Sequence, residues 1–253
     1  MKKTPVIIAA LAALLLFLCC GMTLADAEPL WSGSGTESDP YRINSAADFV
    51  AMGEYISSND NPRDSVFKLY ADIDLSGYCG LLKGSWTPIS AEGFDGILDG
   101  NGHTISGLYI FRINGEEQGL FGRLSTNSGG TIRNLTVEGS IICKNKSGGI
   151  AGLSDLKFVN CGFNGSVSGT DMIGGVVGYS SGGVLENCRF SGSVTGSGSQ
   201  IGGITGVTEW GILRGCTLQN ESSVTGHEMV GGITGLLRGQ IYRELCFQGH
   251  GHR

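Results

Sequence analysis

The sequence predicts an all-β chain, a parallel β-helix of coils of about 27 residues with a short N-terminal helical cap. Three observations predict it. A glycine pattern returns five times, as Gly119-Leu-Phe-Gly122, Gly148-Gly-Ile-Ala-Gly152, Gly174-Gly-Val-Val-Gly178, Gly202-Gly-Ile-Thr-Gly206 and Gly231-Gly-Ile-Thr-Gly235, at steps of 29, 26, 28 and 29 residues. Between these, apolar columns keep the same beat: Ile132, Phe158, Leu185, Leu213; then Leu135, Cys161, Cys188, Cys216; then Val137, Phe163, Phe190, Leu218; then Ile141, Val167, Val194, Val224. Finally, the Cys column and the Phe/Leu column lie two residues apart, which places both on one face of an extended strand. The positions between and beside them (Gly162, Arg189, Thr217; Val159, Glu186, Arg214) vary as a solvent face does. A unit this short cannot bury its own apolar face, so it must stack on its neighbours, like residues falling roughly 4.8 Å apart.

Residues 1–27 read as a secretory signal peptide: Lys2 and Lys3, an apolar run from Val6 to Leu18, and a small-x-small cleavage site at Ala25-Asp26-Ala27. The competing reading, an uncleaved anchor, is opposed by the shortness of the run. Cys19 and Cys20 would suit lipidation, but the large Leu18 stands where a small residue is expected.

Residues 28–66 read as the opening segment and cap. A turn-rich stretch from Trp31 leads to a strand at Tyr41–Ile43, and Ser45 can cap a helix to about Ser57, with Phe49, Val50, Met52, Gly53 and Ile56 at amphipathic spacing. Such a helix covers the open edge that a β-helix otherwise exposes. After a loop at 59–63, Phe67–Leu75 alternates as one strand, and the β-helix is expected to span 67–248. Residues 94–110 hold two short strands around the turn Asp99-Gly-Asn-Gly102. At 239–246 a further coil begins with one residue inserted, which takes Cys246 out of the cysteine column. The tail at 249–253 stops in mid-coil; a truncated or frame-shifted product is expected, a partner chain over the edge being the alternative.

Residues 94–110, the tetrad at 119–122, the later Gly-Gly-Ile-Thr-Gly strings and the opening Gly33-Ser-Gly-Thr-Glu-Ser-Asp-Pro-Tyr41 together resemble the GLUG-repeat family of secreted bacterial and archaeal proteins, over about residues 31–237. The resemblance implies a right-handed parallel β-helix on large, adhesin-like surface proteins, in some cases beside the catalytic part of immunoglobulin-A peptidases. It implies no catalysis by the repeats themselves.

Composition agrees. The net charge of −6, or −7 without the leader, opposes nucleic-acid binding, which needs a basic footprint. No membrane-spanning run follows the leader. Charged residues are only 16% of the chain against 44 glycines, which suits turn-rich coils with weakly charged outer faces. Six cysteines follow the leader, yet Cys161, Cys188 and Cys216 would point the same way from neighbouring coils, a poor geometry for a disulfide. A buried ladder of free thiols is expected, with a Cys79–Cys143 bridge as an unsupported alternative.

Candidate chemistry centres on Asp72, Asp74, Asp95 and Asp99, which could bind calcium or cleave glycosides as a carboxylate pair. Against this, Asp99 and Asn101 suit a turn, and Asp72 and Asp74 suit a solvated strand face. His103 beside that turn reads as structural. His227-Glu228 lacks the second His of a zinc-peptidase motif, and His250 and His252 make a weak terminal pair. Glycosylation sequons fall at Asn134, Asn145, Asn164 and Asn220, while Asn134, Asn160 and Asn187 form a column that reads as a stacked-amide turn. Trp210, Tyr179 and Tyr242 are candidate sugar platforms. No catalytic, cofactor-binding or metal-binding residue is therefore expected. The function expected is a non-catalytic, secreted or cell-surface, adhesin-type module for a glycan or protein ligand, the alternatives being a polysaccharide lyase or hydrolase and a structural stalk.

Overall fold

The computed structural model describes residues 31–58, 63–219, 221–239 and 243–244. It distinguishes two compact units, residues 1–32 and 33–253, and the solenoid lies in the second. The expected leader, the tail, Asn220, Tyr242, Cys246, His250 and His252 lie outside the described residues. Among the described residues no helix is long and apolar enough to cross a membrane.

The chain is a parallel β-helix, and among the described residues its strands form four sheets, of eight, seven, four and six strands. The first sheet stacks Tyr41–Ile43, Val66–Leu69, Ile97–Asp99, Thr131–Arg133, Lys157–Val159, Val184–Glu186, Ile212–Arg214 and Arg243–Glu244, which marks about seven turns. A central coil gives one strand to each sheet, at Lys157–Val159, Gly162–Gly169, Asp171–Gly174 and Val177–Ser181.

The expected columns are the observed register. Ile132, Phe158, Leu185 and Leu213 are successive partners, as are Val137, Phe163, Phe190 and Leu218 and Ile141, Val167, Val194 and Val224. Most of these side chains are fully buried, and the Phe163 and Phe190 rings lie nearly parallel with centroids 6.3 Å apart. Each buried aromatic of this kind contributes about 1.5–3 kcal/mol relative to exposure.

The glycines act chiefly through their size. In Gly148-Gly-Ile-Ala-Gly152 the middle Ile150 points inward and is buried. A β-carbon on Gly149 would fall 2.0 Å from the Phe163 ring, and one on Gly152 would fall 2.3 Å from the Glu117 backbone of the preceding coil. The left-handed corners beside these motifs are taken by Glu117, Lys146, Met172, Gln200 and Met229, with φ between 50 and 67°. Gly152, Gly178, Gly206 and Gly235 lie against the first four of these and accommodate corners that other residues make.

Two sequence expectations need correction. Phe67–Leu75 is not one strand: Val66–Leu69 belongs to the first sheet, Ile73–Asp74 to the second, and Leu75–Gly77 is a 3-10 turn. Inward and outward positions keep alternating through the corner at 70–72, so the pattern looks continuous where the chain bends. Likewise Cys161 is not in the strand of Phe163. The preceding strand ends at Val159, Asn160 turns with φ 53°, and the next strand starts at Gly162. Both side chains are nevertheless buried.

The parallel stacking starts at Tyr41–Ile43, paired with Val66–Leu69, ahead of the boundary at residue 67 expected from sequence. Between these rungs runs the cap helix Ala46–Ser57. The Ser45 hydroxyl accepts from Asp48 N at 3.2 Å while the Asp48 carboxylate accepts from Asn44 N at 2.9 Å, a reciprocal cap that satisfies otherwise orphaned amides. Phe49, Met52 and Gly53 are its buried residues. Phe49 meets the Trp86 and Phe121 rings, and Gly53 lies against Ile89.

Candidate functional site

The four acids sit at or beside strand ends and accept from the solenoid itself, Asp72 and Asp95 from amides of the next coil, Asp74 and Asp99 from amides two residues on. Asp72 accepts from Thr104 N at 2.9 Å and lies 3.1 Å from His103 Nδ1. The Thr104 amide, then His103, lowers its pKa. Asp74 caps the 3-10 turn through Ser76 N and the Ser76 hydroxyl, both at 2.8 Å, and these donors lower it too. Asp95 reaches into the next coil and accepts from Thr126 Oγ1, Asn127 N and Ser128 N. Burial opposes its ionisation, yet Thr126 and the two amides hold it at about 2. Asp99 accepts from Asn101 N at 2.8 Å, Asn134 Nδ2 at 3.1 Å and Arg133 Nε at 3.0 Å. Burial again opposes, and these donors prevail to lower its pKa. Carboxylates held ionised in this way have no proton to donate near neutral pH, whereas a general acid needs a raised pKa.

Asp99 is also the head of an amide ladder. Asn160 Nδ2 donates to Asn134 Oδ1 at 3.1 Å, and Asn187 Nδ2 donates to Asn160 Oδ1 at 3.3 Å. All three asparagines have φ near 53°, which Asn tolerates better than most residues. The stacked-amide turn expected from sequence is thus present, and it occupies the Asn134 sequon. Asn145 Nδ2 bonds Glu116, and Ser147 of its sequon is buried. Asn164 is exposed, with its amide on Glu138 at 3.1 Å.

The expected thiol ladder is present as well. Cys79, Cys143, Cys161, Cys188 and Cys216 are all free and buried, so the Cys79–Cys143 bridge is not formed. Cys161 Sγ donates to Ile132 O and Cys216 Sγ to Leu185 O, each at 3.4 Å. Burial raises the Cys161 thiol to about 12 and Cys143 to about 11. Such groups are neutral, poor nucleophiles.

The aromatic candidates divide. Trp210 is 68% exposed, and Gly239 closes against its ring. Tyr179 is half-buried, and its hydroxyl donates to Glu209, which Arg238 flanks at 3.9 Å. His227 stands 3.8 Å from Glu228, both exposed. Two features were missed from sequence. One is a groove of about 380 Å³ between the cap helix and residues 78–89, lined by Glu54, Ser57, Tyr78, Trp86, Thr87 and Ile89. Its only sequence signal is Trp86 and Tyr78 between the strand segments. The other is a charge column on the outer face of the first sheet, where Asp99 meets Arg133 at 3.0 Å and Glu186 lies between Lys157 at 3.7 Å and Arg214 at 2.8 Å.

Residues 169–195 match the model of the GLUG motif. The chain carries this motif. The matched residues run from the end of Gly162–Gly169 through Gly174-Gly-Val-Val-Gly178 to Arg189–Gly196, one complete circuit of the solenoid. Curated relatives extend the likeness. Halomucin of Haloquadratum walsbyi is 37% identical over 161 residues, 59% of this chain and 2% of that protein. A provisionally named Gly-rich membrane protein of Evansella cellulosilytica is 36% identical over 120 residues, 47% of this chain and 13% of that protein. The chain thus spans a small part of both relatives. Among solved structures, a provisionally named immunoglobulin A1 protease from Bacteroides ovatus superposes with a TM-score of 0.64 at 24% identity, covering 83% of this chain and 65% of that one. That likeness establishes the fold.

Proposed function

We propose that this chain is a non-catalytic β-helical module of a secreted or cell-surface protein, in which GLUG coils present their outer faces to a glycan or protein ligand. The observation that carries this reading is the use of the candidate acids. Asp72, Asp74, Asp95 and Asp99 each spend their lone pairs on amides or side chains of the solenoid. That is structural use, and it favours a scaffold over a hydrolase or lyase. The charge column and the groove by Trp86 are outward features on which a ligand could act. The likeness to halomucin and to a Gly-rich membrane protein supports an extracellular setting. Binding of the purified chain to a glycan and matrix-protein array tests the reading. Saturable binding to a defined class supports it, and silence across the array would leave a stalk instead.

A further inference from the structure

We propose that Arg42, Lys68 and Tyr70 form a binding site for the carboxylate of an acidic saccharide, on the outer face of the first sheet at its N-terminal end. The inference rests on the reading above that the outer faces bind ligand, and it names the place and the chemistry.

The outer column of that sheet runs Arg42, Lys68, Asp99, Arg133, Val159, Glu186, Arg214 in successive register. From Asp99 onward it neutralises itself. Asp99 bonds Arg133, and Glu186 holds Arg214 and Lys157. Elsewhere Arg123 and Lys146 share Glu117, Lys144 lies near Glu116, and Arg238 near Glu209. In a chain of net charge −6, Lys83 and Arg112 bond Ser76 O and the Thr87 hydroxyl, while these seven cations each meet a carboxylate.

Arg42 and Lys68 do not. They are direct register partners, so two like charges stand one strand spacing apart, roughly 4.8 Å between backbones. Neither has an ion-pair partner among the described residues. The carboxylate on the next rung, Asp99, is already engaged by Arg133, Asn134 and the Asn101 amide. What lies beside the two cations is a ring: the Arg42 guanidinium is 5.3 Å and the Lys68 ammonium 5.9 Å from the Tyr70 centroid. Tyr70 is 41% exposed. A ring quadrupole moderates the repulsion but cannot neutralise it. An incoming carboxylate would do so, its two oxygens matching the planar Arg fork while the Lys supplies a second point charge. The apolar face and edge of Tyr70 add contact for the C–H groups of a sugar ring, which an inorganic anion cannot use.

The test titrates the full chain by calorimetry with oligogalacturonate, with its neutral methyl ester, and with inorganic phosphate. The proposal expects the acid oligomer to bind, more weakly as salt is raised, while the ester and phosphate do not bind comparably. Arg42→Gln with Lys68→Gln should weaken that binding by at least about tenfold. Tyr70→Ala should weaken it less, and Arg189→Gln, an exposed cation on the second sheet, should leave it unchanged. Wild-type affinity in the double variant, or no binding of the acid oligomer by the wild-type chain, would overturn the site. Equal displacement by phosphate would overturn its saccharide character. An array ligand retained by the double variant would show that the broader binding reading survives while this site falls.

Discussion

Gly149 lies flat against the ring of Phe163, so close that a β-carbon on it would stand 2.0 Å from the aromatic atoms. Gly175 repeats the relation with Phe190 at 2.3 Å. The second glycine of the motif in one coil thus makes room for the aromatic column of the next. Gly149→Ala or Gly175→Ala should destabilise by about 1–3 kcal/mol through overpacking. Gly162→Ala, where the nearest atom would be 3.7 Å away, should cost far less. Denaturant melts of the three variants check the contrast, and equal midpoints would refute it.

Phe190 is sandwiched in register between Phe163 and Leu218 and is fully buried. Truncation to Ala should cost about 3–5 kcal/mol. Phe190→Asp should cost more, since it adds a buried unpaired charge. Glu186→Lys, by contrast, is a surface change, but it places a third cation between Lys157 and Arg214. A small loss is expected, shrinking as salt is added. A salt-independent loss in Glu186→Lys would contradict the charge-column account.

Asn160 both accepts from Asn187 and donates to Asn134 while holding a left-handed corner. Asn160→Gly keeps the corner and loses the ladder; Asn160→Ala loses both. The Gly variant should fall by about 1 kcal/mol and the Ala variant by about 1–2 kcal/mol more. Thermal melts that rank Ala level with or above Gly would mean that the left-handed corner carries no such cost.

The Asp95 carboxyl ionises at about 2 in the folded chain against an ordinary value of 3.8. A lowered folded pKa stabilises the fold above the ordinary value, and that contribution is lost as pH falls toward 2. Wild-type stability should therefore decline between pH 5 and pH 2, and Asp95→Asn should be weaker at neutral pH with a shallower decline. Parallel acid titrations of the two proteins read this directly.

Much of this was legible because the repeat carries register information. The Phe158, Phe163 and Val167 columns could be aligned by sequence period alone, and their partners are those expected. The cap helix was legible for local reasons, from Ser45 and the spacing of Phe49 and Met52. What escaped notice needs spatial neighbours from separate coils. Nothing local tells that Glu186 meets Lys157 and Arg214, since complementarity appears only after the coils are stacked. The corner at 70–72 was hidden because a bend that preserves alternation looks like a straight strand. The acids remained ambiguous for a related reason. Asp95 finds its donors at Thr126, Asn127 and Ser128, a full coil away.

The most direct test of the central claim, that these acids build the solenoid and perform no chemistry, pairs two readings on wild type and Asp99→Asn. One is release of reducing or unsaturated sugars from acidic and neutral polysaccharides; the other is the midpoint of chemical denaturation. The account predicts no release by either protein and a lowered midpoint for Asp99→Asn, which lacks the carboxylate that pairs with Arg133. Sugar release by the wild type that Asp99→Asn abolishes at an unchanged midpoint would contradict it.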